Sequence, residues 1–153
     1  MRSAYKYLAY LVCALVMVQA ASHAWVSSGL AKYLEGGGTI DFESESLPDF
    51  PEATGFVIHG MNGMMVIPAV ALVLVVVAFL AKVPGGLAWA GGVLALVVLQ
   101  VALGLMGHSV TIAAFVHGVN ALLLFGVALI AGRRVDRVGT DASADARHTV
   151  SAV

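Results

Sequence analysis

Apolar residues gather in four long runs, at about 5–30, 51–81, 84–106 and 110–132, and polar residues are confined to the gaps and the ends. A helix needs about 20 residues to cross the hydrocarbon core of a bilayer, so each run is long enough to span. None shows the period-2 alternation of a barrel strand, and inside lipid a backbone has to satisfy its own hydrogen bonds. The pattern predicts an all-α, up-down bundle of four transmembrane helices. Punctuation agrees with the boundaries. Pro51 suits a first helical position, where its missing N–H costs nothing. "KVPGG" (82–86) and "GHS" (107–109) read as tight turns, with Ser109 as an N-cap for the last helix. Connections this short make neighbouring helices antiparallel.

Composition sharpens the picture. Of 153 residues, 60% are hydrophobic and 11% charged, and the mean hydropathy is +0.95. That balance does not supply the polar shell of a water-soluble domain. The lipid bilayer is the expected partner, together with a redox partner or a larger membrane complex, and a net charge of −1 argues against nucleic acid. The single cysteine, Cys13, excludes an intrachain disulfide and reads as packing.

Charge also gives a direction. Arg2, Lys6, Lys82, Arg133, Arg134 and Arg137 all fall on one side of a four-span chain, which predicts a multi-pass protein of the cell membrane with both termini in the cytoplasm. The outer loop, 33–50, is acidic: Glu35, Asp41, Glu43, Glu45 and Asp49 follow Lys32 with no basic residue among them. The polar end, 138–153, is expected to be a disordered cytoplasmic tail. In a rival reading residues 1–24 are a cleaved signal peptide, ending in "SHA", which leaves three spans.

A repeat favours four. "IHGMN" in the second run matches "VHGVN" in the fourth, pairing His59 with His117, Gly60 with Gly118 and Asn62 with Asn120 at an offset of 58. "LVMVQ" (15–19) resembles "LVVLQ" (96–100), pairing Gln19 with Gln100 at an offset of 81. The bundle therefore reads as two pseudo-symmetric helical hairpins of the same orientation, related by an axis along the membrane normal. His59 lies eight residues after Pro51 and His117 eight after Ser109. At 1.5 Å per residue, both imidazoles sit about 12 Å below their helix starts, facing each other across the bundle axis.

Ionisable residues inside membrane helices usually face the interior and mark function. Two histidines at equal depth on diagonal helices suit the axial positions of one b-type haem. Gly60, Gly118, Gly63 and Ala121 would leave room for a flat macrocycle, and Asn62 and Asn120 would shape a neighbouring part of the same face. Each ligating ring needs an acceptor for its second N–H, and a carbonyl one turn earlier would serve. His23 and His108 lie toward the same outer side. They read either as histidines at wet helix ends or as second-shell groups for propionates, a second metal or a quinone. Gln19 and Gln100 read as interhelical glue. Trp25 and Trp89 read as interfacial anchors. A four-histidine site for a bare metal ion and a cofactor-free accessory or structural subunit are the alternatives.

The stretch "VHGVNALLLFGVALIAGRR" (116–134), with "LQ" (99–100) and "AKVP" (81–84), resembles a family of small four-helix bacterial membrane proteins of unknown function. In architecture the chain is similar to one half of haem A synthase, each half of which carries a histidine on its second and fourth helices. That resemblance implies haem at His59 and His117. The chain departs from it in having no cysteine pair in its first outer loop and no second half, so what the resemblance implies is haem binding or electron transfer rather than haem A synthesis.

Overall fold

The computed structural model describes residues 1–41, 44 and 46–150, with side chains described as far as position 136. Four helices follow one another: α1 (Arg2–Glu35), α2 (Pro51–Ala81), α3 (Gly86–Gly107) and α4 (Thr111–Val150). All four are long and apolar enough to cross a membrane, α4 through its segment Thr111–Asp136. No strand is present among the described residues.

The helix limits follow from local chemistry. α1 is longer than the 5–30 expected, because Ser27, Ser28 and Lys32 do not stop a helix. It ends at the glycine run 36–38, where Gly37 takes φ 89°. The turn between α2 and α3 is built on Lys82 (φ 49°) and Gly85 (φ 68°), both left-handed. Between α3 and α4, Ser109 N and Val110 N both donate to Met106 O. The helix then begins at Thr111, so Ser109 lies in the turn and is not the cap expected of it. α4 continues to Val150, through most of the stretch expected to be a disordered tail; Gly139 alone, with no proline, is too weak a stop. Residues 151–153 lie outside the described residues.

α2 is not uniform. After a 3₁₀ turn at Pro51–Ala53 and a regular stretch at Thr54–Met61, it widens into a π-turn at Asn62–Val66 before resuming at Ile67–Ala81. Pro68 explains the widening. It has no N–H to give, and its ring would press on the carbonyl four residues back, at Met64, so the preceding turn opens. The matching position in α4 is Gly126, and α4 stays regular there.

The helices form a ring in which α1 packs on α2 and α4, and α3 packs on α2 and α4. The two hairpins are alike in their cores as well as in their sequence words. Ala9 and Ala90, Val12 and Val93, and Val16 and Val97 are paired by the same offset of 81, and all are buried. The outward faces stay apolar, with Leu122 at 75% and Phe79 at 64% exposure, as a lipid-facing surface requires.

Polar contacts tie the basic end together. Lys6 Nζ meets Asp136 at 2.6 Å, Tyr5 Oη donates to Gly86 O at 3.0 Å, and Arg134 donates twice to Pro84 O while its guanidinium lies 5.5 Å from the Trp89 ring. Cys13 is buried packing, as expected. At the opposite end Val26, Phe50 and Ala53 form a small second core with Leu30 and Tyr33. Of the acidic loop, Phe42, Glu43 and Glu45 lie outside the described residues.

Candidate functional site

His59 on α2 and His117 on α4 meet across the ring's diagonal, their ring centres 6.2 Å apart and their planes inclined by 49°. Both rings are held the same way. His59 Nδ1 lies 3.1 Å from Gln19 O, and His117 Nδ1 lies 3.0 Å from Gln100 O. A carbonyl oxygen can only accept, so each Nδ1 carries the proton and each neutral ring keeps its lone pair on Nε2. The acceptor was expected one turn earlier on the histidine's own helix. It comes instead from the adjacent helix of the same hairpin, because a helical carbonyl has a second lone pair to offer beyond its ladder bond.

The glutamines are held in turn by the asparagines. Asn62 Nδ2 donates to Leu15 O at 3.0 Å and to Gln19 Oε1 at 3.3 Å. Asn120 Nδ2 donates to Leu96 O at 3.0 Å and to Gln100 Oε1. Gln100 Nε2 also donates to His117 O at 3.1 Å. Asn62 and Asn120 are thus buried clamps between helices, at 7% and 3% exposure, and do not line the space beside the histidines as expected. With both amide hydrogens used, each leaves its Oδ1 without a partner. Gln19 and Gln100 are interhelical glue, and their carbonyls also fix the imidazoles.

Three cavities surround the histidine pair, and His59 and His117 border all of them. One of about 500 Å³ opens between α1 and α4 beside Met17, Ala20, Gly118 and Ala121. One of about 160 Å³ lies between α2 and α3 beside Gly60, Gly63 and Gly104. The third, of about 530 Å³, lies at the mouth of the bundle away from Lys6 and Arg134, where His23 and His108 join the ring pair. A Cβ added to Gly60 or Gly118 would meet no atom within 4 Å, so both glycines face open space beside the histidines. Gly63 borders a cavity too, but a Cβ there would overlap the Gln19 amide, so it also permits close packing. His23 lies against His59, with ring centres 5.2 Å apart.

Two contributors escaped the sequence reading. Gly104 lets the His117 ring lie against α3, since a Cβ there would sit 3.2 Å from His117 Cε1. Its signal was available: the offset of 81 places Gly104 opposite His23, the point at which the two hairpins differ beside the pair. Pro68 was the other, readable as a proline inside a long apolar run.

What can two such nitrogens hold? A metal–imidazole bond of about 2.0–2.1 Å and about 1.1 Å from ring nitrogen to ring centre, taken twice, separate two ring centres by about 6.2–6.4 Å across one shared metal. That span holds where the two Nε2 atoms oppose each other, and the ring centres stand 6.2 Å apart. A bare zinc or copper ion wants about four protein ligands. Among the described residues no group of three or more His, Cys, Asp or Glu side chains is placed to hold a metal ion. A haem brings four ring nitrogens of its own and asks the protein for two. The donor set and the flanking space fit that group. Compared with family models, curated proteins and solved structures, the chain matches none.

Proposed function

We propose that this membrane protein holds one b-type haem between His59 and His117 and serves electron transfer or haem handling. The observation that carries the reading is the pair itself: two lone-pair nitrogens, each fixed through Nδ1 to a backbone carbonyl, on rings 6.2 Å apart with open space on either side. Bound there, the haem would supply a one-electron couple. The chain's own part is to fix both imidazole tautomers through Gln19 and Gln100 and to keep those carbonyls in register through Asn62 and Asn120. It also leaves clearance at Gly60 and Gly118. The reading keeps the architectural likeness to one half of haem A synthase and leaves aside its chemistry. With Lys and Arg gathered at the ends near Lys6, Lys82 and Arg134, it places those ends in the cytoplasm and the histidines nearer the outer face of the cell membrane.

A cofactor-free accessory subunit is the second reading, favoured by the interhelical bonds of the Asn–Gln–His network. One experiment separates the two. The protein purified in detergent from haem-replete cells should show a low-spin haem spectrum. His59→Ala or His117→Ala should abolish it, and His23→Ala should not. A colourless wild-type preparation that takes up no added haem would refute the haem reading and leave the second.

A further inference from the structure

The duplicated hairpin makes the iron ligands symmetric, but the outer mouth is not symmetric. His23 on α1 stands where α3 has Gly104, and His108, the first residue past the end of α3, stands where α1 has Ser27. In the register of the repeat the two histidines stand four positions apart, one within α1 and one in the turn after α3. Both border the outer cavity of about 530 Å³, with His23 also facing the α1–α4 cavity and His108 the α2–α3 cavity. That mouth is otherwise lined by apolar groups and glycines, including Val26, Phe56 and Gly107. Neither histidine has a place in the network that fixes His59 and His117.

A b-type haem carries two carboxylates on one edge. Among apolar groups each carboxylate needs a hydrogen-bond donor, and among the described residues no arginine or lysine lines this cavity. We propose that His23 and His108 are the donors for the haem carboxylates and so orient the macrocycle with its acidic edge toward the outer mouth. The proposal rests on the haem reading and goes beyond it by assigning the orientation to two positioning residues that do not touch the iron. The symmetric pair would accept the macrocycle either way up; the unmatched histidines choose between the two.

The test compares haem with its dimethyl ester, which has the same iron and ring but no carboxylate. Apo-protein in detergent is titrated with each, following the Soret band. Wild-type protein should bind the free acid at least tenfold more tightly than the ester. The His23→Ala/His108→Ala double variant should bind both alike, at about the wild-type affinity for the ester. Unchanged ester binding doubles as the fold control, and His23→Gln/His108→Gln, which keeps an N–H donor, should recover part of the preference. A preference for the free acid that survives the double alanine variant overturns the proposal, and so does a wild-type protein with no preference. Wild-type protein that takes up neither compound overturns the haem reading itself, and this assignment with it.

Discussion

Gly118→Leu should leave the empty protein at least as stable as before and still block haem. A Cβ on Gly118 meets no atom within 4 Å, so a side chain can start there without straining the helix packing. Inside a helix, replacing glycine with a good helix former is worth about 0.8–1.0 kcal/mol, so thermal unfolding of the haem-free variant should stay level or rise. The same side chain enters the α1–α4 cavity beside His117. A flat group midway between the rings passes 3.1 Å from each ring centre, half of their 6.2 Å separation, and has no slack to move aside. Haem affinity should fall at least tenfold, about 1.4 kcal/mol. Gly60→Leu makes the same argument from the α2–α3 side. The control is Gly126→Leu, two turns further along α4, where an added Cβ also meets nothing within 4 Å but which borders none of the cavities around the histidines. The assay pairs circular-dichroism melting of the haem-free protein with haem titration in detergent. If Gly118→Leu binds haem as tightly as Gly126→Leu does, the open space beside His117 is not the macrocycle's, and the reasoning fails.

Other consequences follow from the same geometry. Pro68→Ala restores the missing N–H and removes the ring that opens Asn62–Val66. The π-turn should close to α, turning His59 relative to the segment Ile67–Ala81, so the variant should be more stable to heat yet show an altered or lost low-spin spectrum. Asn120→Leu removes the donations to Leu96 O and Gln100 Oε1. At about 0.6 kcal/mol per interhelical bond in a membrane protein it should cost about 1 kcal/mol in unfolding by denaturing detergent, and an unchanged midpoint would show that the clamp contributes nothing. Gly104→Ala puts a Cβ 3.2 Å from His117 Cε1, so it should perturb the electron paramagnetic resonance of an oxidised haem at His117 while leaving melting nearly unchanged.

How much of this was legible in the sequence depended on what each residue answers to. The four helices were readable because a bilayer imposes one length and one polarity on every span, and the apolar runs meet both. The diagonal pairing of His59 with His117 was readable because a repeat at fixed offset, on helices of alternating direction, sets equal depth. The partners of the asparagines were not legible, because "HGMN" and "HGVN" give position along a helix but not which neighbour fills the space beside it. Asn62 and Asn120 turn to α1 and α3, where Leu15 O and Leu96 O wait. The acceptors for the histidines were missed for the same reason: a backbone carbonyl carries no sequence mark. The extent of α4 was underestimated because a polar, alanine-containing stretch can be helical without being apolar.

The repeat also explains why the site is assembled as it is. Each hairpin is a closed unit, in which the histidine of one helix is fixed by the glutamine carbonyl of its partner and the glutamine side chain by the asparagine one turn on. Nothing in this arrangement crosses between hairpins except the rings themselves. The two halves can therefore shift against each other by small amounts without losing either tautomer, and the 6.2 Å gap is set only by how the hairpins pack. A ligand that bridges both rings would tie the halves together and should stabilise the fold by mass action. The haem-loaded protein should therefore melt above the empty one, and loss of either His59 or His117 should remove that difference while lowering the stability of the empty bundle only by the one interhelical bond lost, about 0.6 kcal/mol.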